Sequence, residues 1–277
     1  MFTTDDISER AARAALAVFY RPDQVAAALD EHDAVSVWRQ RVERDSSGRL
    51  AAYRPMLRME QAQPSGEYVI PGDASWPVAL DAMGAERPLG IWTTGTARLS
   101  DLSQRAVAVT GNRAASKAGR TQAATIAGDL AEAGYAVCST LAYGVDTKAQ
   151  HGAHAQGGAT IAVLPCGLDL CHPYNHTPLK NRTAQDGALV SLCPPGTKTS
   201  RNTLHAAADL TALLSRAVVI IEGTQGTTAM RCAALAQRLS RPVGTLSPDL
   251  VGYECSSGNR ALLAAGAREL VRGTDVL

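Results

Sequence analysis

The sequence predicts an α/β fold, a doubly wound and mainly parallel sheet preceded by a small all-helical N-terminal module. Three observations predict it. From residue 105 onward, short apolar, β-branched runs alternate with helix-patterned stretches. Those runs are apolar on every residue, as strands covered on both faces must be. Residues 4–45 instead carry apolar side chains at helical spacing. The chain has 277 residues, enough for about two domains. With 45% hydrophobic and 19% charged residues, it is neither disordered throughout nor fibrous.

The first module reads as three helical segments: Ile7, Ala11, Ala15, Val18 and Phe19, then Val25 and Leu29, then Val35 and Trp38. Arg21-Pro22 separates the first two, and Ser46-Ser47-Gly48 breaks the chain after the third. The module is expected to occupy 1–60, with 61–104 as a connecting, extended segment and 105–277 as the sheet domain. Expected strands are Ala106–Thr110, Ala136–Ser139, Thr160–Leu164, Leu189–Leu192, Ala217–Glu222 and Val243–Leu246. Between them, helices are expected over Ser116–Ala133, Asp146–Ala155, 178–186, Thr203–Leu214 and Thr228–Leu239. No internal repeat is visible.

The net charge of +1 hides an asymmetry. Residues 1–100 hold 11 Lys/Arg against 14 Asp/Glu, whereas 105–241 hold 13 against 7, a local balance of +6 suited to an anion such as a phosphate chain. Arg outnumbers Lys 23 to 4, which favours forked phosphate contacts, although a coding bias explains the skew as well. No apolar run approaches about 18 residues, so no membrane span is expected. The acidic start MFTTDDISER lacks a basic and apolar leader, so the expectation is a cytoplasmic chain with reduced cysteines. Cys166, Cys171, His172 and His176 are zinc-ligand types, but their spacing has no CxxC and no two halves. They read as thiols beside a turn, and no metal is expected.

A doubly wound sheet binds ligands at the carboxyl ends of its strands. That directs attention to loops 110–116, 139–146, 165–177, 193–202 and 223–228. In the first, Thr110-Gly111-Asn112-Arg113 leads from a strand toward a helix start near Ser116, where amides, helix dipole and a guanidinium could meet a phosphate. It is not a P-loop, since Ser116 and Ala118 stand where Gly and Ser/Thr belong. A G-x-G-x-x-G fingerprint is also lacking. Kinase-like and dehydrogenase chemistry are therefore disfavoured. In the second loop, Ser139 to Asp146, Asp146 reads as a helix N-cap, His151 as a helix-face histidine, and Gly144 as a residue supplying an unusual backbone angle. No nucleophile with two partners is evident, and no catalytic residue is assigned. The last loop, Glu222-Gly223-Thr224-Gln225-Gly226-Thr227-Thr228, reads as a second phosphate cradle facing the first.

At these residues the chain resembles the DNA-processing protein A (Smf) family, mediators that bind single-stranded DNA and hand it to a RecA-type recombinase. The resemblance runs from roughly 68 to 271. It includes Pro71-Gly72-Asp73-Ala74-Ser75-Trp76-Pro77, the Ala106–Arg113 stretch, Ser139–Asp146 with His151-Gly152-Ala153, Thr160–Asp169, and Ser257-Gly258-Asn259. It implies a Rossmann-like DNA-binding domain, a helical, SAM-like module over 1–60, homodimerisation and a RecA-type partner. Carried over with the charge, the DNA- or phosphate-binding set is Gly111, Asn112, Arg113, Ser139, Gly144, Lys148, Lys198, Arg201, Gly226, Thr227 and Thr228.

The chain also departs from the family. Asn112 replaces serine, and Thr140 and Pro165 replace glycines. The family's Arg-Asn-Arg aligns with Ala207, Ala208 and Asp209, with Arg201-Asn202 upstream as the open substitute. The family's winged helix is not found before residue 277. Two alternatives remain. One is a small-nucleotide binder or a phosphoribohydrolase-like enzyme, whose G-G-x-G-T loop faintly resembles 223–227 and whose carboxylate would be Glu222, otherwise a strand-end cap. The other is an interaction protein that kept the fold and lost ligand binding. Only Tyr143 and Tyr174 are aromatic on the loops, so binding is expected to be backbone-directed with little sequence preference.

Overall fold

A computed structural model describes residues 7–252 and 254–277; the acidic stretch 1–6 lies outside them. The N-terminal part folds as α1 (Glu9–Phe19), α2 (Ala26–Glu31), α3 (Ala34–Glu43), α4 (Arg49–Ala52) and α5 (Pro55–Ala62). Ser8 caps α1 by accepting from the Ala11 amide, and Asp33 caps α3 by accepting from Ser36. Ala12, Ala15, Leu16, Val37 and Trp38 are buried together, and Phe19, Trp38 and Tyr53 meet at centroid distances of 5.2–5.9 Å. Val18, expected inside, is 43% exposed; Ala12 and Leu16 take the inner face of α1.

The sheet has nine strands: β1 (Glu67–Val69), β2 (Ile91–Gly95), β3 (Ala106–Thr110), β4 (Ala136–Ser139), β5 (Thr160–Val163), β6 (Ala188–Ser191), β7 (Ala217–Ile220), β8 (Val243–Thr245) and β9 (Arg268–Glu269). Their order is β1-β2-β6-β5-β4-β3-β7-β8-β9. From β6 to β9 every pairing is parallel; β1 and β2 join antiparallel at one edge. Helices α6 (Leu99–Gln104), α7 (Lys117–Glu132), α8 (Val145–Ala155), α9 (Thr177–Asp186), α10 (Arg201–Leu213), α11 (Thr228–Arg238), α12 (Pro248–Val251) and α13 (Ser257–Ala264) complete the chain.

The apolar runs are explained by the two cores that sandwich the sheet. Ala106 and Ala108 of β3 face one core with Leu210 and Leu214 at α10 and Cys232 and Ala236 of α11. Val107 and Val109 face the other, with Ile126 and Leu130 of α7 and Ala149 and Ala153 of α8. Alternate residues point to opposite faces, so a strand covered twice is apolar throughout.

The segment 61–104 is more than a connection. It supplies β1, β2 and α6, and Thr93 Oγ1 donates to Leu189 O across the β2–β6 pair at 3.0 Å. The helical part is tied to it where Arg10 reaches Asp73 Oδ1 at 2.8 Å and Tyr68 O at 2.9 Å.

After β6 the chain crosses to the far side of β3 and resumes as β7. Strand order therefore reverses between β3 and β7, and the loops that leave their carboxyl ends diverge there. Such a switch point opens the crevice in which doubly wound sheets hold ligands.

Candidate functional site

The two loops at the switch point clasp each other. Gly111 must be small, because a Cβ there would come within 2.6 Å of Glu222 O and 2.7 Å of Val145 Cγ2. The Asn112 amide donates to Glu222 O at 2.7 Å. Asn112 Nδ2 faces Glu222 Oε1, Thr224 Oγ1 and Cys255 O at 3.0–3.1 Å, while its Oδ1 accepts from the Thr224 amide at 3.0 Å.

Glu222 is fully buried and accepts from the Ser116 amide at 3.1 Å and the Ser116 hydroxyl at 2.6 Å. Its carboxylate therefore sits against the start of α7, where the partial positive charge and free amides of a helix end attract an anion. This corrects two expectations. The α7 start is not an open phosphate cradle, because the protein's own carboxylate occupies it. The β7–α11 loop does not face it as a second cradle either; it is the other half of one clamp. Glu222 is held as a structural anchor, not as a free carboxylate.

Asp146 also departs from the expected role. The N-cap of α8 is Gly144, and Asp146 lies inside the helix, 4% exposed. It accepts from Thr110 Oγ1 at 2.8 Å and from the Thr140 hydroxyl, while burial pushes its carboxyl up to about 6. Gly144 does supply the unusual angle, with φ +80° and ψ −122°. A Cβ there would overlap the carbonyl oxygens of Asn112 and Arg113, so Gly144 lets α8 begin directly under the Arg113 loop.

Arg113 is exposed and lines an open cleft of about 780 Å³. Lys198 and Arg201 line the same cleft from the approach to α10 and from its first residue. Ser200 holds that helix start by accepting from the Thr203 amide at 3.2 Å. The family's Arg-Asn-Arg positions bring no positive charge: Ala207 and Ala208 are buried, and Asp209 pairs with Arg231 at 2.7 Å. Arg201 thus brings a guanidinium to the cleft from upstream on the same helix.

A smaller cavity of about 40 Å³ lies beside this cleft; Arg113, His172 and Leu204 line both, and Gly111, Thr140, Asp146 and Thr228 line the smaller alone. The remaining candidates line neither. Ser139 is fully buried and spends its hydroxyl on Val109 O at 2.7 Å, so it supports the sheet end and does not face a ligand. Asn112, 8% exposed, is likewise committed to the clamp. Lys148 is exposed on α8, away from the cleft. Gly226 (φ +79°) and Thr227, whose hydroxyl donates to Thr224 O at 2.8 Å, shape the β7–α11 loop.

The sequence reading missed Lys180 and Asp169 and left His172 without a binding role. Lys180 Nζ reaches Leu168 O, and Leu170 O at 2.9 Å, which adds positive charge while holding the 165–177 loop. Asp169 accepts from the Gly196 amide at 2.9 Å and joins that loop to the next. Burial and the neighbouring Arg113 push the His172 imidazole below its ordinary range. Among the described residues, no three His, Cys, Asp or Glu side chains converge to hold a metal, and no helix is long and apolar enough to cross a membrane.

Residues 67–277 match the family model of the DNA recombination-mediator protein A. The chain belongs to this family. It is 37% identical over 222 residues to a DprA protein of Mycobacterium tuberculosis, covering 76% of this chain and 57% of that one. Protein Smf of Escherichia coli K12 is 30% identical over 212 residues, with 76% and 56% covered. The chain thus spans little more than half the length of these two relatives. Among solved structures, DNA processing protein A of Helicobacter pylori, described for its single-stranded DNA binding mode, is similar at TM-score 0.66 and 26% identity, over 76% of this chain and 94% of that one. The Streptococcus pneumoniae protein is similar in fold at TM-score 0.74, over 98% and 93%. This family member has a Rossmann-like fold, and Arg113, Lys180, Lys198 and Arg201 line one open cleft on the loops that follow β3, β5 and β6.

Proposed function

We propose that this chain binds single-stranded DNA in the open cleft at the carboxyl edge of its sheet and serves as a non-enzymatic recombination mediator, passing the strand to a RecA-type recombinase. One observation carries the reading: Arg113, Lys198 and Arg201, from two separate loops, line one open cleft. Arginine forks and a lysine ammonium are suited to successive phosphates, and an open cleft admits a chain where a closed pocket would admit one nucleotide. The Helicobacter pylori relative, described as binding single-stranded DNA, supports the same polymer. Gly111, Gly144 and the Asn112–Glu222 clamp fix the backbone from which Arg113 projects; Gly226, Thr227 and Thr228 shape the partner loop, and Ser139 supports the sheet end. We assign the protein to the cytoplasm as a homodimer, with no metal or cofactor. The DNA-contacting loops lie within 105–277, on a sheet that β1 and β2 of 61–104 extend at one edge.

Fluorescence-anisotropy titration of a labelled strand of about 30 nucleotides, with duplex and mononucleotide competitors, tests the reading. The expected result is a preference for the single strand that a mononucleotide does not displace. Saturation by one mononucleotide, with no binding of the strand, would assign the cleft to a small ligand instead. Stimulated strand exchange by a RecA-type recombinase on coated single strands tests the mediator step; no stimulation contradicts it.

A further inference from the structure

Tyr174 is 86% exposed at the edge of the cleft that Arg113, Lys180, Lys198 and Arg201 also line. A single exposed aromatic is unremarkable on a protein surface. This one stands on a support built from both sides. It opens a 3-10 turn, Tyr174–His176, between Pro173 and Pro178. The Thr177 hydroxyl donates to Tyr174 O at 2.6 Å. Its two neighbours are anchored on the loop that follows β4: Asn175 Oδ1 accepts from the Tyr143 hydroxyl at 2.7 Å, and His176 Nδ1 donates to Leu141 O at 2.6 Å. The Tyr143 ring also meets the His176 ring edge-on at 4.7 Å. The turn is thus fixed while the Tyr174 ring itself is left to solvent beside four cations.

From this we infer a nucleobase-stacking subsite on Tyr174, which takes one unpaired base of the strand whose phosphates the neighbouring cations hold. The inference rests on the single-stranded DNA reading and adds a base contact to a surface otherwise directed at the backbone. A ring on a pinned turn loses little freedom when a base settles on it, so most of the stacking is retained as affinity. Every base has a π face, so the contact selects for unpaired bases without reading their identity.

The test compares a short oligodeoxythymidine with a backbone of the same length made entirely of abasic residues, against the full chain and its Tyr174→Ala and Tyr174→Phe variants. The expected result is that the wild type binds the thymidine strand about tenfold more tightly than the abasic one. Tyr174→Ala should abolish that difference while leaving abasic binding unchanged, and Tyr174→Phe should retain it. Equal binding of both strands by the wild type, or an unaltered preference in Tyr174→Ala, would overturn the subsite and leave the phosphate contacts standing. No binding of either strand would overturn the subsite together with the reading beneath it.

Discussion

Glu222 and Asp146 are both buried carboxylates at the switch point, and their surroundings give them different consequences. Glu222 is held by the Ser116 amide and hydroxyl and by Asn112 Nδ2. Replacing one of its oxygens by an amide turns accepting contacts into opposed donors. Glu222→Gln should therefore cost about 2 kcal/mol, a melting-temperature drop of several degrees by calorimetry. An unchanged melting point would mean that the clamp does not hold the loops. Asp146 has its pKa raised from 3.8 to about 6, chiefly by burial. Between those values the folded chain keeps a proton that the unfolded chain has released. The contribution of this group to stability therefore falls as pH rises through that window, by about 3 kcal/mol in all, and levels off above about pH 6. Asp146→Asn removes the dependence, so the melting temperature of the variant relative to wild type should climb between pH 4 and pH 7. A constant offset across that range would contradict the assignment.

Helix starts and strand ends decide where the cleft residues stand. Gly144 begins α8 at φ +80° beneath the Asn112 and Arg113 carbonyls. Gly144→Ala should destabilise the fold by more than about 2 kcal/mol through backbone strain and overlap, and should weaken DNA binding by shifting the Arg113 loop. Denaturant midpoints and anisotropy on the same preparation check both; retention of both values would show that the loop is not set by this contact. The six inner strands, β3 to β8, were legible because a doubly covered strand must be apolar on every residue, a pattern that Val107-Ala108-Val109 and Ala217-Val218-Val219 display plainly. β1 and β2 were not legible. Glu67-Tyr68-Val69 and Ile91–Gly95 are short and lie among Pro and Gly; β2 pairs with the distant β6, and β1 with β2. β9, two exposed residues long, leaves no periodicity to read. Arg113 was legible from its glycine turn at a strand end. Ser139 faces inward because the pleat, not the residue type, turns its hydroxyl to Val109 O, and Lys180 carries no loop signal because it lies within α9 and turns back to the carbonyls of Leu168 and Leu170.

Across the whole molecule, the mild excess of positive charge in 105–241 becomes concentrated by topology. The loops that follow β3, β5 and β6 leave the same edge of the sheet, and Arg113, Lys180, Lys198 and Arg201 line the open cleft among them. The helical module and the segment that carries β1 and β2 are joined through Arg10 and Asp73. Arg113, Lys198 and Arg201 are on the surface, where substitution costs little stability, so their effect on binding can be separated from folding. The most direct test is the slope of log Kd against log salt for a single strand, measured on the wild type and on the combined Arg113→Ala, Lys198→Ala, Arg201→Ala variant. Each phosphate contact on a single strand contributes about 0.7 to that slope, so the variant should bind more weakly and with a slope shallower by about 2. An unchanged slope in a folded variant would place the strand outside this cleft and contradict the account.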